Sequence, residues 1–495
     1  MAGRKEIVVI GAGFGGLSAA IRLLLQGHRV TLLEKRDQPG GRGYQYQVNG
    51  FKFDGGPTVI TAPYMFDDLF AQAGRKREDY FQLLPLDPYY RIFHEDGRHF
   101  DYRRDHADML EQVRQWSPGD VAGYERFSKA VRGVFDRFYP MTDQSFQRLP
   151  DMLRIMPDML RMGLFLGMYQ YASLFIKDEF LRRIFSFHPL LIGGSPMDTP
   201  AIFALISQVE KEWGVHYAVG GTGAIVNALA TLFTELGGQL CLSTEVREIV
   251  IQDKRATGVK LGDGTFLPAD EVVCNGEIAF AYQHLIAPEH QHPLIRARLN
   301  TMGYSSSLMV IYFGTKKRYA HEGKLSHHNI IVADQYQRLL REIFHGRDLP
   351  RDLALYLHMP TITDPSIAPP GTESFYVLGL VPNLDARINW AEAGQPYRDR
   401  IMQFLEDHYL PDLQANIIAE HRIDPLHFRD TLNSHKGAAF AFRPSLMQSA
   451  WFRPHNRSDQ FANLYFVGAG THPGAGVPAV FSSGKIVADM IGNAG

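Results

Sequence analysis

Cysteine is nearly absent from this chain: Cys241 and Cys274 are the only two in 495 residues. A disulfide framework or a thiolate zinc site needs more ligands at short spacings, so a reducing compartment is expected and no metal-binding residues are assigned. Long apolar runs are missing as well. No stretch approaches the roughly 20 residues of a membrane-spanning helix, so the chain is not expected to cross a bilayer. A surplus of charge is absent too. The net charge of −2 provides no field for collecting nucleic acid. Arg4 and Lys5 before an apolar run imitate a secretory signal, but the glycine spacing that follows explains the segment better, and no cleaved peptide is expected. Internal repeats, low-complexity segments and flexible linkers are not found.

What is present is an ordinary globular composition, 45% hydrophobic and 21% charged, in a chain too long for one hydrophobic core. Two or three packed units are expected. Residues 6–10, Glu-Ile-Val-Val-Ile, read as a strand buried on both faces, and a glycine turn follows. Leu17, Ala20, Ile21 and Leu24 recur at helical spacing, Gly27 ends that helix, and residues 29–34 form a second strand. The opening is therefore a β-α-β unit. Residues 120–214 are helical in pattern, rich in methionine and aromatics, and interrupted by Pro150, Pro157, Pro189, Pro196 and Pro200. A second glycine turn and helix follow at 220–236. Strands alternate over 244–273 around the turn pair Asp263-Gly264, and a mixed α/β layer extends from about 300 to 455. Leu464–Val467 is a last strand before a glycine-rich turn and a final helix.

Three glycine-bearing segments carry the functional reading. Gly11-Ala12-Gly13-Phe14-Gly15-Gly16 lies between a strand and a helix, where Gly11 permits the turn, Gly13 admits a pyrophosphate and Gly16 lets helix and strand pack closely. Glu34, ending the second strand, suits a ribose hydroxyl. Pro39-Gly40-Gly41-Arg42-Gly43 and Asp54-Gly55-Gly56-Pro57 supply a close backbone and a cation for a dinucleotide with a flat ring system. Gly468-Ala469-Gly470-Thr471-His472-Pro473-Gly474-Ala475-Gly476-Val477 aims backbone donors and a helix N-terminus at one spot, as a reduced flavin requires. His472 is read as a turn residue before a catalytic acid.

Together these segments resemble the flavoprotein amine oxidase and carotenoid desaturase superfamily. The run Asn463–Val477, the opening through Thr58, Phe185-Ser186-Phe187-His188 and Trp451-Phe452-Arg453-Pro454-His455-Asn456 are similar to bacterial and fungal phytoene desaturases. The resemblance implies an α/β chain: a Rossmann-like FAD-binding domain of glutathione reductase type (1–85, 215–290 and 458–495), an α+β substrate domain (86–119 and 291–457) and a helical membrane-associating subdomain (120–214). It implies FAD as sole redox cofactor, with contacts at Gly11, Gly13, Gly16, Glu34, Lys35, Gly41, Arg42, Gly55, Gly56, Val246, Gly468 and Val477. Many FAD proteins of this fold carry Gly-Asp where this chain has Gly468-Ala469, which is a departure at the ribityl contact.

The implied activity inserts double bonds into a long hydrophobic isoprenoid in carotenoid biosynthesis, with oxygen or a membrane quinone accepting the electrons. The implied location is cytoplasmic, peripherally associated with the inner membrane. Asp151 and Arg154, following Pro150, are the implied acid/base and cation-controlling couple; an i, i+3 surface ion pair is the plainer alternative. Met152, Ile155, Met156, Met159, Leu160 and Phe165 form an apolar stripe suited to a polyene channel or a membrane interface. A C30 or hydroxylated substrate, a flavin amine oxidase and a non-catalytic prenyl-binding chaperone are the competing readings.

Overall fold

The structure, a computed structural model, describes residues 3–333 and 335–494. Glu6–Ile10 lies at the centre of a five-stranded parallel sheet, flanked by Arg29–Leu33 on one side and Glu271–Cys274 on the other. Gln239–Cys241 and Leu464–Phe466 complete its two edges. β-branched strands between two apolar layers are what such a sheet requires. On one face pack the helices Phe14–Leu25, Thr222–Glu235 and Val477–Ile491, sharing a core of Leu17, Ile21, Leu229 and Phe481. The first and last helices touch closely: Ser18 Oγ donates to the Phe481 carbonyl at 2.7 Å. The other face is covered by an antiparallel sheet of Val246–Gln252, Arg255–Leu261 and Phe266–Pro268. Its second turn is the expected Asp263-Gly264. Its first is Asp253-Lys254, both in the left-handed region, where no glycine marked it.

The second layer is a seven-stranded sheet that joins Tyr90–Phe93 and His99–Tyr102 to strands from 307–423. It is antiparallel throughout except where Tyr90–Phe93 meets His328–Ile331. The helices between His106 and Trp213 pack against it around one core that includes Tyr90, Phe127, Ile184 and Tyr312. Leu149–Arg161 runs unbroken through Pro157, contrary to the expected interruption. The proline removes one hydrogen bond, to the carbonyl four residues earlier, and that residue, Leu153, is 55% exposed, so water can serve the carbonyl instead. Among the described residues no helix is long and apolar enough to cross a membrane.

Candidate active site

The carboxyl ends of the parallel strands converge, which is where open α/β sheets place ligands. Gly11 follows the central strand, Glu34 its neighbour, Asn275 the strand Glu271–Cys274, and Gly468 lies just past the edge strand. Glu34 is buried and knits the turn together, one carboxylate oxygen accepting from the Ala12 N–H at 2.9 Å and the other from the Arg36 N–H at 3.0 Å. Gly16 is fixed by space: a Cβ there would stand 2.0 Å from the Gly11 carbonyl oxygen. It packs helix on strand and does not face the cavity, whereas Gly11, Gly13, Glu34, Lys35, Gly41, Arg42, Gly55, Gly56, Val246, Gly468 and Val477 all line it.

Two residues of the site, Asn275 and Glu277, belong to none of the sequence motifs. Asn275 donates to the Gly11 carbonyl at 3.3 Å and fills the space a Cβ on Gly15 would need, 2.6 Å from its Oδ1, so it couples the first glycine turn to the fourth strand. Its only sequence signal is an Asn-Gly pair directly after an apolar run. Glu277 faces Arg42 across the cavity; burial pushes its carboxyl upward and the arginine opposes that shift. Arg42 donates from Nη2 to Ser434 Oγ at 2.8 Å, and its Nε is buried without a partner among the described residues. Arg453, 2% exposed, holds the last glycine segment by donating to the carbonyls of Thr471 (3.0 Å), Ala469 (2.6 Å) and Gln448 (3.2 Å). Burial lowers its guanidinium to about 10, so it is charged at neutral pH. The same burial, aided by the Arg453 charge, lowers His472 to about 3. His472 lies in the glycine turn and lines the cavity wall.

Beyond the glycine cradle the same cavity, about 620 Å³ in all, runs on between the helices and the large sheet. Its walls there are apolar, with Phe146, Ile155, Leu190, Ile202, Leu308 and Leu380 among them. Two polar features interrupt them. Thr58 Oγ1 joins the hydroxyls of Tyr356 and Tyr376, each at 2.9 Å, and Tyr376 also donates to the Gly56 carbonyl at 3.2 Å. Glu210, fully buried, is held by the Tyr90 hydroxyl at 2.7 Å and His188 Nε2 at 3.0 Å. Asp151 and Arg154 are not on the wall. Their helix turns Met152, Ile155 and Met159 inward, which leaves Asp151 half-buried and Arg154 exposed on the outer side, and no ion pair joins them among the described residues.

The family model for flavin containing amine oxidoreductases matches residues 14–492. The chain belongs to that family. Over 492 residues, 98% of this chain and 99% of the relative, it is 46% identical to a lycopene-forming phytoene desaturase of Pseudescherichia vulneris. It is 40% identical to a neurosporene-forming phytoene desaturase of Rhodobacter capsulatus, covering 99% of this chain and 95% of that one. An oxidoreductase structure from Methanosarcina mazei superposes with a TM-score of 0.66 at 17% identity, over 98% of this chain and 100% of the other, and shows the fold.

The chain is an FAD-dependent oxidoreductase. Its residues fit the cofactor. The Gly11–Gly16 turn, the start of helix Phe14–Leu25 and Glu34 suit the pyrophosphate and ribose, and the unpaired Arg42 Nε is a buried donor awaiting an acceptor. Gly55, Gly56, Gly468 and Val477 border the space where the ring system would lie.

Proposed function

We propose that this chain desaturates a long isoprenoid of the phytoene class. The observation that carries this reading is one continuous cavity, with a dinucleotide cradle at one end and an apolar tunnel at the other. When bound, FAD supplies the two-electron acceptor that no side chain can provide. The chain supplies the rest. Phe146, Leu190, Ile202 and Leu308 exclude water and orient a hydrocarbon by shape. The hydroxyls of Thr58, Tyr356 and Tyr376 are one of two polar exceptions, the one beside Gly56; burial drives both phenols upward, so they stay neutral hydrogen-bond donors. An amine substrate would need more polar walls than these.

Peripheral attachment to a membrane is part of the proposal. Leu149, Leu153, Leu160, Leu166 and Leu174, between 40% and 64% exposed, lie on and just after the helix Leu149–Arg161. Such a face supports insertion of the helical region into a lipid interface, from which a water-insoluble substrate is taken up. The electrons then pass to oxygen or a membrane quinone.

Incubating the FAD-loaded protein with phytoene-bearing liposomes tests the reading directly. Polyene absorption at longer wavelength is the expected result, and unchanged phytoene with fully loaded flavin would refute it. Chromatography of the products fixes the number of double bonds introduced.

A further inference from the structure

Three histidines lie behind the cavity wall and take no part in the site described so far. His328 and His358 are register partners on the neighbouring strands His328–Ile331 and Leu355–His358, and His327 directly precedes the first of these. Their side chains are buried, at 3% exposure for His327, 0% for His328 and 1% for His358. One ring nitrogen from each lies within 4.8 Å of the others, and the Nε2 atoms of His327 and His358 are 3.0 Å apart. Two of the remaining nitrogens are anchored: His327 Nδ1 to Thr363 Oγ1 at 2.6 Å, and His328 Nδ1 to the Tyr356 hydroxyl. His328 Nε2 and His358 Nδ1 are buried with no hydrogen-bond partner among the described residues.

We propose that His327, His328 and His358 form a binding site for a divalent first-row transition-metal ion of the zinc type. Three imidazoles without a carboxylate are a poor home for magnesium or calcium and a good one for zinc and its neighbours. Imidazole nitrogens bound to one zinc at about 2.0–2.1 Å stand roughly 3.3 Å apart in tetrahedral geometry, close to the 3.0 Å at which His327 and His358 Nε2 are hydrogen-bonded to each other. His328, with one ring nitrogen within 4.8 Å of the other two, reaches the same ion by a side-chain adjustment. Hydrogen bonds to Thr363 and Tyr356 fix two ring orientations through the far nitrogen, as outer partners of metal ligands do. Asp364, whose carboxylate is held by the N–H groups of Gly220 and Ser366, places a negative charge beside His327. An ion here would clamp two adjacent strands whose Ile330, Ile331, Leu355 and Tyr356 line the cavity. It would therefore fix the wall against which the substrate lies.

The test uses full-length, FAD-loaded protein without a polyhistidine tag. Elemental analysis after growth with added zinc is expected to find about one equivalent retained through gel filtration. Copper-exchanged protein is expected to show nitrogen hyperfine coupling by electron paramagnetic resonance. His328→Gln and His358→Gln should abolish retention, and Thr363→Val should weaken zinc binding roughly tenfold, with flavin absorbance per chain reporting that each variant is folded. If the glutamine variants lose flavin, the wild-type metal content and copper spectrum decide alone. Wild-type protein that takes up no zinc or copper, or that takes up as much as His328→Gln, would overturn the proposal and leave a neutral hydrogen-bonded histidine cluster.

Discussion

Arg453 illustrates how single residues hold the site from outside it. The side chain does not line the cavity, yet three carbonyls around the last glycine segment depend on it. Arg453→Leu leaves those carbonyls buried and unpaired, so a loss of about 3 kcal/mol in urea unfolding is expected, with a lower flavin-to-protein ratio after gel filtration. Asp54 controls pH behaviour. Burial pushes its carboxyl up to about 6, against hydrogen bonds from Gly223, Thr222 and Gln45 that pull the other way. The folded state thus binds a proton that the unfolded chain has already released. The stability this confers is fully present below about pH 4, the ordinary aspartate value, and is lost as pH rises through about 6. Asp54→Asn should remove the effect. Its stability relative to wild type is expected to rise by up to about 3 kcal/mol between pH 4 and 7, measured by denaturant titration at both. At this scale the site was only partly legible in the sequence. Glycines at fixed intervals announce themselves because a turn and a phosphate need them at close range. Asn275, Glu277 and the Thr58-Tyr356-Tyr376 cluster depend on partners hundreds of residues away, and no local pattern records such contacts.

Elements show the same division between local and distant causes. The opening β-α-β unit, the hairpin at Asp263-Gly264 and the final helix follow from nearby periodicity and turn residues, and the structure contains each. The continuation of Leu149–Arg161 through Pro157 was not legible, because the cost of a proline depends on whether water reaches the freed carbonyl, which is a property of the packed molecule. Under the proposed membrane attachment, that helix separates two roles by face. Leu153→Asp combined with Leu160→Asp should reduce co-sedimentation with liposomes several-fold while flavin content stays constant. Asp151→Asn and Arg154→Gln, on the outer side, should change turnover in detergent-dispersed assays by no more than about twofold, the scale of ordinary surface substitutions. A larger loss at constant flavin content would restore them as the proton-handling couple.

At the scale of the whole molecule, the cofactor cradle is assembled from remote parts of the chain: Gly11, Arg42, Val246, Asn275, Gly468 and Val477 border one space. A ligand that touches all of them binds the native state and has no counterpart in the unfolded one. Flavin at about a hundred times its dissociation constant should raise stability by about 2.7 kcal/mol, seen as a higher unfolding midpoint for loaded than for stripped protein. The strand order has a further consequence for biosynthesis. The central strand, made first, has neighbours at 29–33 and 271–274, and the sheet edge beside the latter is closed only by 464–466. A nascent chain on the ribosome therefore carries its nucleotide turn for most of translation without the segment that completes it. Loading with flavin is expected to wait until that segment has been made, and a polypeptide truncated before it keeps an open sheet edge and is a prime substrate for proteolysis.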